Sequence, residues 1–166
     1  MFNFFKKKEK EKEEVKELSI EERFCKSNSL QYDLKLIEEH PEELATQKML
    51  LYCHEGVNSG WYRVVPVDHL IKVIRKIIDT NPLLADQQNF DHFDDYRTRF
   101  AILENNHKLA TPFNFLHETN ERMLIRMLEI NPKLAIQKLF NRTVHKAVKM
   151  LMLGINEDID IYQKDL

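Results

Sequence analysis

The sequence predicts an all-α fold, a short solenoid of helical repeats with irregular insertions. The chain of 166 residues has only three glycines but many leucine, isoleucine, methionine, lysine and glutamate residues, which favours helices over a turn-rich β architecture. A phrase around Pro41 recurs around Pro82 and Pro132, at separations of 41 and 50 residues, and internal similarity in this range indicates a repeat array. A segment with helical periodicity precedes each copy.

Three long helices are predicted from apolar residues that recur every three or four positions. In the first helix, Leu30, Leu34 and Ile37 share one face. The apolar faces of the second and third helices consist of Leu70, Ile71, Val73, Ile74, Ile77 and Ile78, and of Met123, Leu124, Met127 and Leu128. Charged residues occupy the opposite faces, so we expect each helix to bury one side and expose the other.

Each proline of the repeated phrase marks the end of a helix. Proline disfavours helical geometry at the residue before it and cannot donate a hydrogen bond inside a helix. The sequence therefore predicts helix ends at His40, Asn81 and Asn131. We expect the leucine that follows each proline to pack onto the helices, and the alanine after it to allow close approach of the next unit. These pairs are Leu44-Ala45, Leu84-Ala85 and Leu134-Ala135.

The similarity extends upstream of the repeated phrase. The segment that ends at Pro41 aligns without a gap with the segment that ends at Pro132. Each segment predicts a short inner helix, a tight polar turn and a longer outer helix, and two antiparallel helices per unit are typical of solenoids. The alignment places Cys25 on Leu116, so we expect Cys25 to be a small, buried, apolar residue.

The unit that ends at the third proline resembles an ankyrin repeat. The ankyrin consensus begins Thr-Pro-Leu-His and continues through a short helix, a glycine-containing turn and a second helix. Thr111 and Pro112 match this opening, while Phe113 and Asn114 replace the leucine and the histidine. Asn120 takes the place of the glycine, and asparagine tolerates the left-handed backbone expected there.

The resemblance implies a non-catalytic protein–protein interaction module, with a charged N-terminal extension over residues 1–17 and the repeat domain over 18–166. A generic array of similar helical units is the alternative to a true ankyrin stack. The lysine- and asparagine-rich composition also resembles that of small ankyrin-like proteins of intracellular bacteria and large viruses. That likeness implies an effector that is delivered into a host cell and acts on a host protein.

Two segments do not fit the repeating unit and supply the predicted contact surface. Residues 55–67 lengthen one loop, and residues 89–110 form an insertion that the sequence leaves open as a helix or a β-hairpin. Insertions between repeats often form the binding edge, and aromatic residues and arginine dominate binding hot spots. The predicted partner-binding residues are Trp61, Tyr62, Arg63, Phe93, Tyr96 and Arg97. Alternatively, these aromatic side chains cover the ends of helices.

The sequence contains no motif typical of a catalytic, cofactor or metal site. It has no glycine-rich phosphate loop, no HExxH and no CxxC. Cys53 and His54 are adjacent, so on a helix their side chains diverge by about 100° and do not pair. The alternative function is a small metal-dependent hydrolase that uses His92, Asp94 and Asp95, whereas the competing interpretation of this cluster is a polar loop with a helix cap. We expect no cofactor and no catalytic residue.

Charge and composition restrict the partner and the compartment. A net charge of −2 gives no general attraction to nucleic acid, so another protein is the expected partner. The N-terminus places its apolar residues before its lysines, which is the reverse of a secretory signal, and no apolar run is long enough for a membrane span. Residues 2–8 combine phenylalanine with lysine, but the glutamates that follow disfavour binding to a membrane surface. We therefore expect a cytoplasmic protein.

Overall fold

The computed structural model describes residues 17–59 and 65–161. All regular structure within these two ranges is helical, which confirms the all-α prediction. Tyr96–Asn105 is an α-helix, so the β-hairpin considered for residues 89–110 does not form. No helix within the described ranges is both long and apolar enough to cross a membrane. The predicted N-terminal extension lies outside the described residues except for Glu17.

Short and long helices succeed one another along the chain. The α-helices are α1 (Ile20–Lys26), α2 (Leu30–Glu39), α3 (Pro41–Leu44), α4 (Gln47–Ser59), α5 (Val67–Thr80), α6 (Gln87–His92), α7 (Tyr96–Asn105), α8 (Pro112–His117), α9 (Glu121–Ile130), α10 (Gln137–Phe140) and α11 (Lys146–Ile155). Short 3₁₀ turns occupy Pro82–Leu84, His107–Leu109 and Pro132–Leu134. The long helix α5 packs against both α2 and α7, α9 packs against α11, and the short helix α8 packs against α10.

Polar side chains determine where most helices begin. The first N–H groups of a helix have no acceptor within the helix, and a capping side chain supplies one. Caps of this kind come from Ser19, Ser29, Asp86, Asp95, Thr111 and Asn120. The expectation of a left-handed backbone at Asn120 was wrong, because its φ is −82°. Its side chain instead accepts hydrogen bonds from the backbone N–H groups of Arg122 and Met123.

The predicted helix ends are confirmed, and the structure adds a fourth. Helices α2, α5 and α9 end directly before His40, Asn81 and Asn131. Helix α7 ends in the same way before Asn106, although the 3₁₀ turn that follows begins with histidine instead of proline. The leucine after each of these four ends is buried, as expected for Leu44, Leu84 and Leu134, and also at Leu109.

A side-chain hydrogen bond connects each helix end to the one before it. The amide of Asn131 donates to the backbone carbonyl of Ala110 at 2.8 Å. The same bond joins Asn81 to Ala45, Asn106 to Ala85 and Asn156 to Ala135, at 2.7 to 2.8 Å. We call these four bonds the asparagine clamps. Successive clamp asparagines are 25 residues apart, so the 50-residue separation noticed in the sequence contains two such intervals.

A second row of hydrogen bonds joins α4 to α6 and α6 to α8. Asn89 of α6 exchanges two hydrogen bonds with the side chain of Gln47, at 2.7 and 3.0 Å. Asn114 of α8 exchanges two with Gln87, at 2.8 and 3.0 Å. Both asparagines are buried and lie 25 residues apart. Leu139 and Pro112 lie 25 residues after Asn114 and Gln87. Both members of the hydrogen-bonded pair are therefore replaced together at the next interval.

The long helices contribute to one apolar core. Ile77, Ile102, Met127 and Met152 are each 0% exposed and are also spaced by 25 residues. Cys25 is only half-buried, and Leu116, with which it aligns, is 39% exposed. The prediction that Cys25 is buried was therefore wrong, because the preceding residue, Phe24, takes the position that faces the core.

Candidate protein-binding groove

The structure separates the six residues predicted to bind a partner. Trp61, Tyr62 and Arg63 lie outside the described residues. Phe93 is 1% exposed, and its ring centroid lies 4.3 Å from that of His54, so this side chain belongs to the core and not to the surface. Tyr96 is half-buried at the start of α7, and Arg97 follows it.

A groove of about 310 Å³ lies where α5, α7 and α9 meet at the surface. Its lining includes Tyr96 and Arg97 and adds four residues that the sequence analysis did not select. The complete lining is Ile71, Arg75, Tyr96, Arg97, Phe100 and Arg122. We call this the arginine–aromatic groove. A concave surface with a mostly apolar lining and a few charged groups is the usual form of a binding site.

The floor of the groove is apolar and is supported by the core. Ile71, Tyr96 and Phe100 are half-buried and pack against the buried residues of the core cluster. Because one side of each of these side chains is fixed by packing, little conformational entropy remains to be lost when a ligand covers the other side.

Arg97 is held in place by two carboxylates. Asp95 caps α7 by accepting a hydrogen bond from the backbone N–H of Thr98 at 3.0 Å, and it also accepts one from Arg97 Nε at 3.2 Å. Asp68, at the start of α5, accepts the second hydrogen bond that Arg97 donates, at 3.2 Å. Arg97 therefore joins the beginnings of α5 and α7, and its positive charge is largely compensated.

Arg75 and Arg122 are the cations of the groove whose side chains have no hydrogen-bond partner in the part of the chain that the structure describes. Both side chains are exposed, and neither makes a hydrogen bond or an ion pair with any residue of the described ranges, although the charge of Arg75 acts on the carboxylate of Glu104. Arg126, one turn further along α9, shows the contrast, because it donates to Glu104 at 2.5 and 3.2 Å and lowers the pKa of that carboxyl through these hydrogen bonds. The groove therefore presents two guanidinium groups that can bind carboxylates.

A cation repeated in the sequence marks part of this groove. Lys72, Arg97 and Arg122 occur at intervals of 25 residues, Arg97 and Arg122 are the second residues of α7 and α9, and Lys72 of α5 adjoins the lining residue Ile71. Equivalent positions on neighbouring helices lie side by side, so a cation repeated at this interval predicts a basic row across the helices. The row can be recognised only when the 25-residue interval is known. That interval was hidden because His107, and not proline, follows the helix end at Asn106.

The residues considered for metal chemistry do not converge. In the described part of the chain, the one group of three potential ligands with mutually close atoms is His40, Glu42 and Glu43 on the surface, not His92 with Asp94 and Asp95. Acidic groups of this kind are common on surfaces, and Asp95 acts as the cap of α7.

Cys53 lies beside a cavity that is too small for a substrate. The cavity, which is also lined by Asp33 and His69, has a volume of about 20 Å³, enough for a single water molecule. Burial raises the pKa of the Cys53 thiol, which disfavours the thiolate needed for nucleophilic attack. Asp33 and His69 instead form a buried pair at 2.7 Å that connects α2 to α5.

No protein-family model, no curated protein and no solved structure matches this chain. The ankyrin resemblance therefore stays a prediction that depends on the motif residues themselves. The clamp interval of 25 residues is shorter than the 33 residues of a regular ankyrin unit.

Proposed function

We propose that this protein is a non-catalytic protein–protein interaction module, built as a short solenoid of ankyrin-like helical units. The observation that carries the proposal is the arginine–aromatic groove, which is lined by α5, α7 and α9. The regular interval of the asparagine clamps supports a stacked arrangement, because each clamp joins one unit to its neighbour. Stacked units provide a broad and fairly rigid surface, which suits a protein partner.

The chemistry of the groove favours binding over catalysis. Its lining offers guanidinium groups, one phenol and apolar side chains, and the two carboxylates that contact it within the described ranges, those of Asp68 and Asp95, are engaged by Arg97. Aromatic residues and arginine are the residue types that contribute most to the affinity of protein interfaces. Tyr96 and Arg97 thus keep the role that the sequence predicted, and Arg75, Phe100 and Arg122 join them.

Site-specific photo-crosslinking tests the proposal. A benzophenone amino acid is placed at position 72, where Lys72 is exposed on α5 next to the groove residue Ile71, and in a control variant at position 133, where Lys133 is exposed on the 3₁₀ turn. We expect a protein adduct in cells from position 72 that is absent or much weaker from position 133. Equal adducts from both positions, or none from position 72, would refute the groove as a contact surface.

A further inference from the structure

The charge pattern of the arginine–aromatic groove indicates what kind of protein segment it binds, an inference that depends on the function proposed above. The cations near the groove differ in whether they have partners. Lys76 of α5 donates to Glu38 at 2.6 Å and Arg97 contacts two aspartates, whereas Arg75 and Arg122 form no side-chain hydrogen bond or ion pair in the described ranges. Two guanidinium groups with free hydrogen-bond donors therefore flank the groove although the chain as a whole carries a net charge of −2.

The apolar floor between these arginines excludes a small anion as the natural ligand. Ile71, Tyr96 and Phe100 expose apolar surface that an inorganic anion would leave uncovered. The groove volume of about 310 Å³ can accept a large apolar side chain with its adjoining backbone. A ligand that satisfies both features carries negative charge at two points and an apolar side chain between them.

The distance between the two arginines sets the spacing of the acidic residues. Arg75 belongs to α5 and Arg122 to α9, and α7 contributes the floor between them. Packed helices lie roughly 8–10 Å apart, so α5 and α9 on either side of α7 are separated by roughly 16–20 Å. An extended segment in polyproline II geometry rises about 3.1 Å per residue, with every third side chain on the same face. Carboxylates six residues apart, about 19 Å in this geometry, with the apolar residue midway between them, therefore match.

A protein segment fits this surface better than a nucleic acid does. Asp68 and Glu121 are exposed beside the groove and would repel a continuous row of phosphates. Nucleic-acid binding usually depends on an extended basic face, whereas here exposed carboxylates interrupt the cations Lys72, Arg75, Arg97 and Arg122. We infer that the arginine–aromatic groove binds an extended acidic protein segment, with carboxylates on Arg75 and Arg122 and an apolar side chain on Tyr96 and Phe100.

A synthetic peptide tests this inference directly. The probe is a fluorescein-labelled peptide of sequence Glu-Pro-Pro-Leu-Pro-Pro-Glu, which places the leucine midway between the glutamates on one face, and its control has glutamine in place of each glutamate. We expect the wild-type protein to bind the glutamate peptide in fluorescence polarisation and the glutamine peptide about tenfold more weakly or worse. Arg75→Gln and Arg122→Gln should each weaken binding of the glutamate peptide about tenfold, since each removes one charge-assisted contact.

The matched control is Arg142→Gln, because Arg142 is also exposed but lies outside the groove lining. This variant should bind the glutamate peptide with unchanged affinity. All three arginines are exposed, so circular dichroism should show that the variants fold like the wild type.

Several outcomes would overturn the inference. They are no binding of the glutamate peptide, equal binding of the glutamine peptide, and equal effects of all three arginine variants. Displacement of the peptide by an oligothymidylate of equal charge at a comparable concentration would instead indicate a phosphate-binding groove. A crosslinked partner at position 72 without any acidic-peptide binding would leave the interaction module standing and refute only the acidic segment. Failure of both experiments would refute both.

Discussion

The asparagine clamp at Asn131 permits a quantitative test of what joins the units. Its amide donates to the carbonyl of Ala110 at 2.8 Å, and Ala110 is 3% exposed, so water cannot readily replace the lost donor. A hydrogen bond of this type contributes about 1 kcal/mol, and a buried acceptor left without a partner costs about 1–3 kcal/mol. We therefore expect Asn131→Ala to lower the free energy of unfolding by about 1–3 kcal/mol.

Urea denaturation followed by far-UV circular dichroism measures this loss. For a domain of this size, each kcal/mol corresponds to a decrease of roughly 2–4 °C in Tm, so a thermal scan gives an independent value. Lys133→Ala is the neighbouring control, because Lys133 is exposed and forms no side-chain hydrogen bond or ion pair with residues 17–59 or 65–161. A change below about 0.5 kcal/mol for Asn131→Ala, no larger than that of the control, would show that the clamp does not hold the units together.

Asn131→Asp separates the hydrogen bond from the shape of the side chain. The aspartate has nearly the same shape but, when ionised, brings a carboxylate oxygen against the Ala110 carbonyl, so it should destabilise at neutral pH at least as much as alanine. Its folded-state pKa should lie above the unfolded value of about 3.9. The protonated form can donate, so the deficit should shrink below about pH 4 and grow as pH rises through the folded-state pKa. A deficit that does not vary with pH would contradict this explanation.

Two further predictions concern the core and a surface ion pair. Leu134→Ala should destabilise the protein by about 2–4 kcal/mol in urea denaturation, since Leu134 is 1% exposed, and a loss as small as that of Lys133→Ala would mean that this leucine is not a structural contact. Hydrogen bonds from Arg126 lower the pKa of Glu104, so their contribution is present above the unfolded-state pKa of about 4.3 and is lost as pH falls through the folded-state value. Glu104→Gln should remove that part of the acid dependence, an effect below about 1 kcal/mol for so exposed a pair, and an unchanged pH profile would contradict the assignment.

The helix ends could be predicted from the sequence where proline marks them. The end before Asn106 was missed because histidine follows it, and proline had been taken as the signal. The structure shows that asparagine is the more general feature, since it supplies the clamp whether or not proline is present. His40 follows the end of α2, and within the described ranges its side chain forms no clamp to the carbonyl of an earlier helix end.

The groove could be predicted only in part. Tyr96 and Arg97 were selected because an aromatic residue beside an arginine is typical of binding surfaces, and both line the groove. Arg75 and Arg122 look like ordinary solvated residues of amphipathic helices, and only the packing of α5, α7 and α9 brings them to one groove. Phe93 was misplaced because the acidic residues around it suggested an exposed loop, whereas it ends α6 and turns into the core.

The clamp interval also determines how this chain can tolerate changes in its length. Each clamp is a hydrogen bond between two successive helix ends, and its geometry depends on the number of residues between the asparagine and the alanine. A duplication or deletion of 25 residues between Asn81 and Asn156 leaves every remaining asparagine opposite an alanine carbonyl. A change of any other length displaces the asparagine only at the clamp that spans the altered segment. Such a chain can therefore grow or shrink by whole units in the course of evolution, while an imprecise change disturbs a single joint.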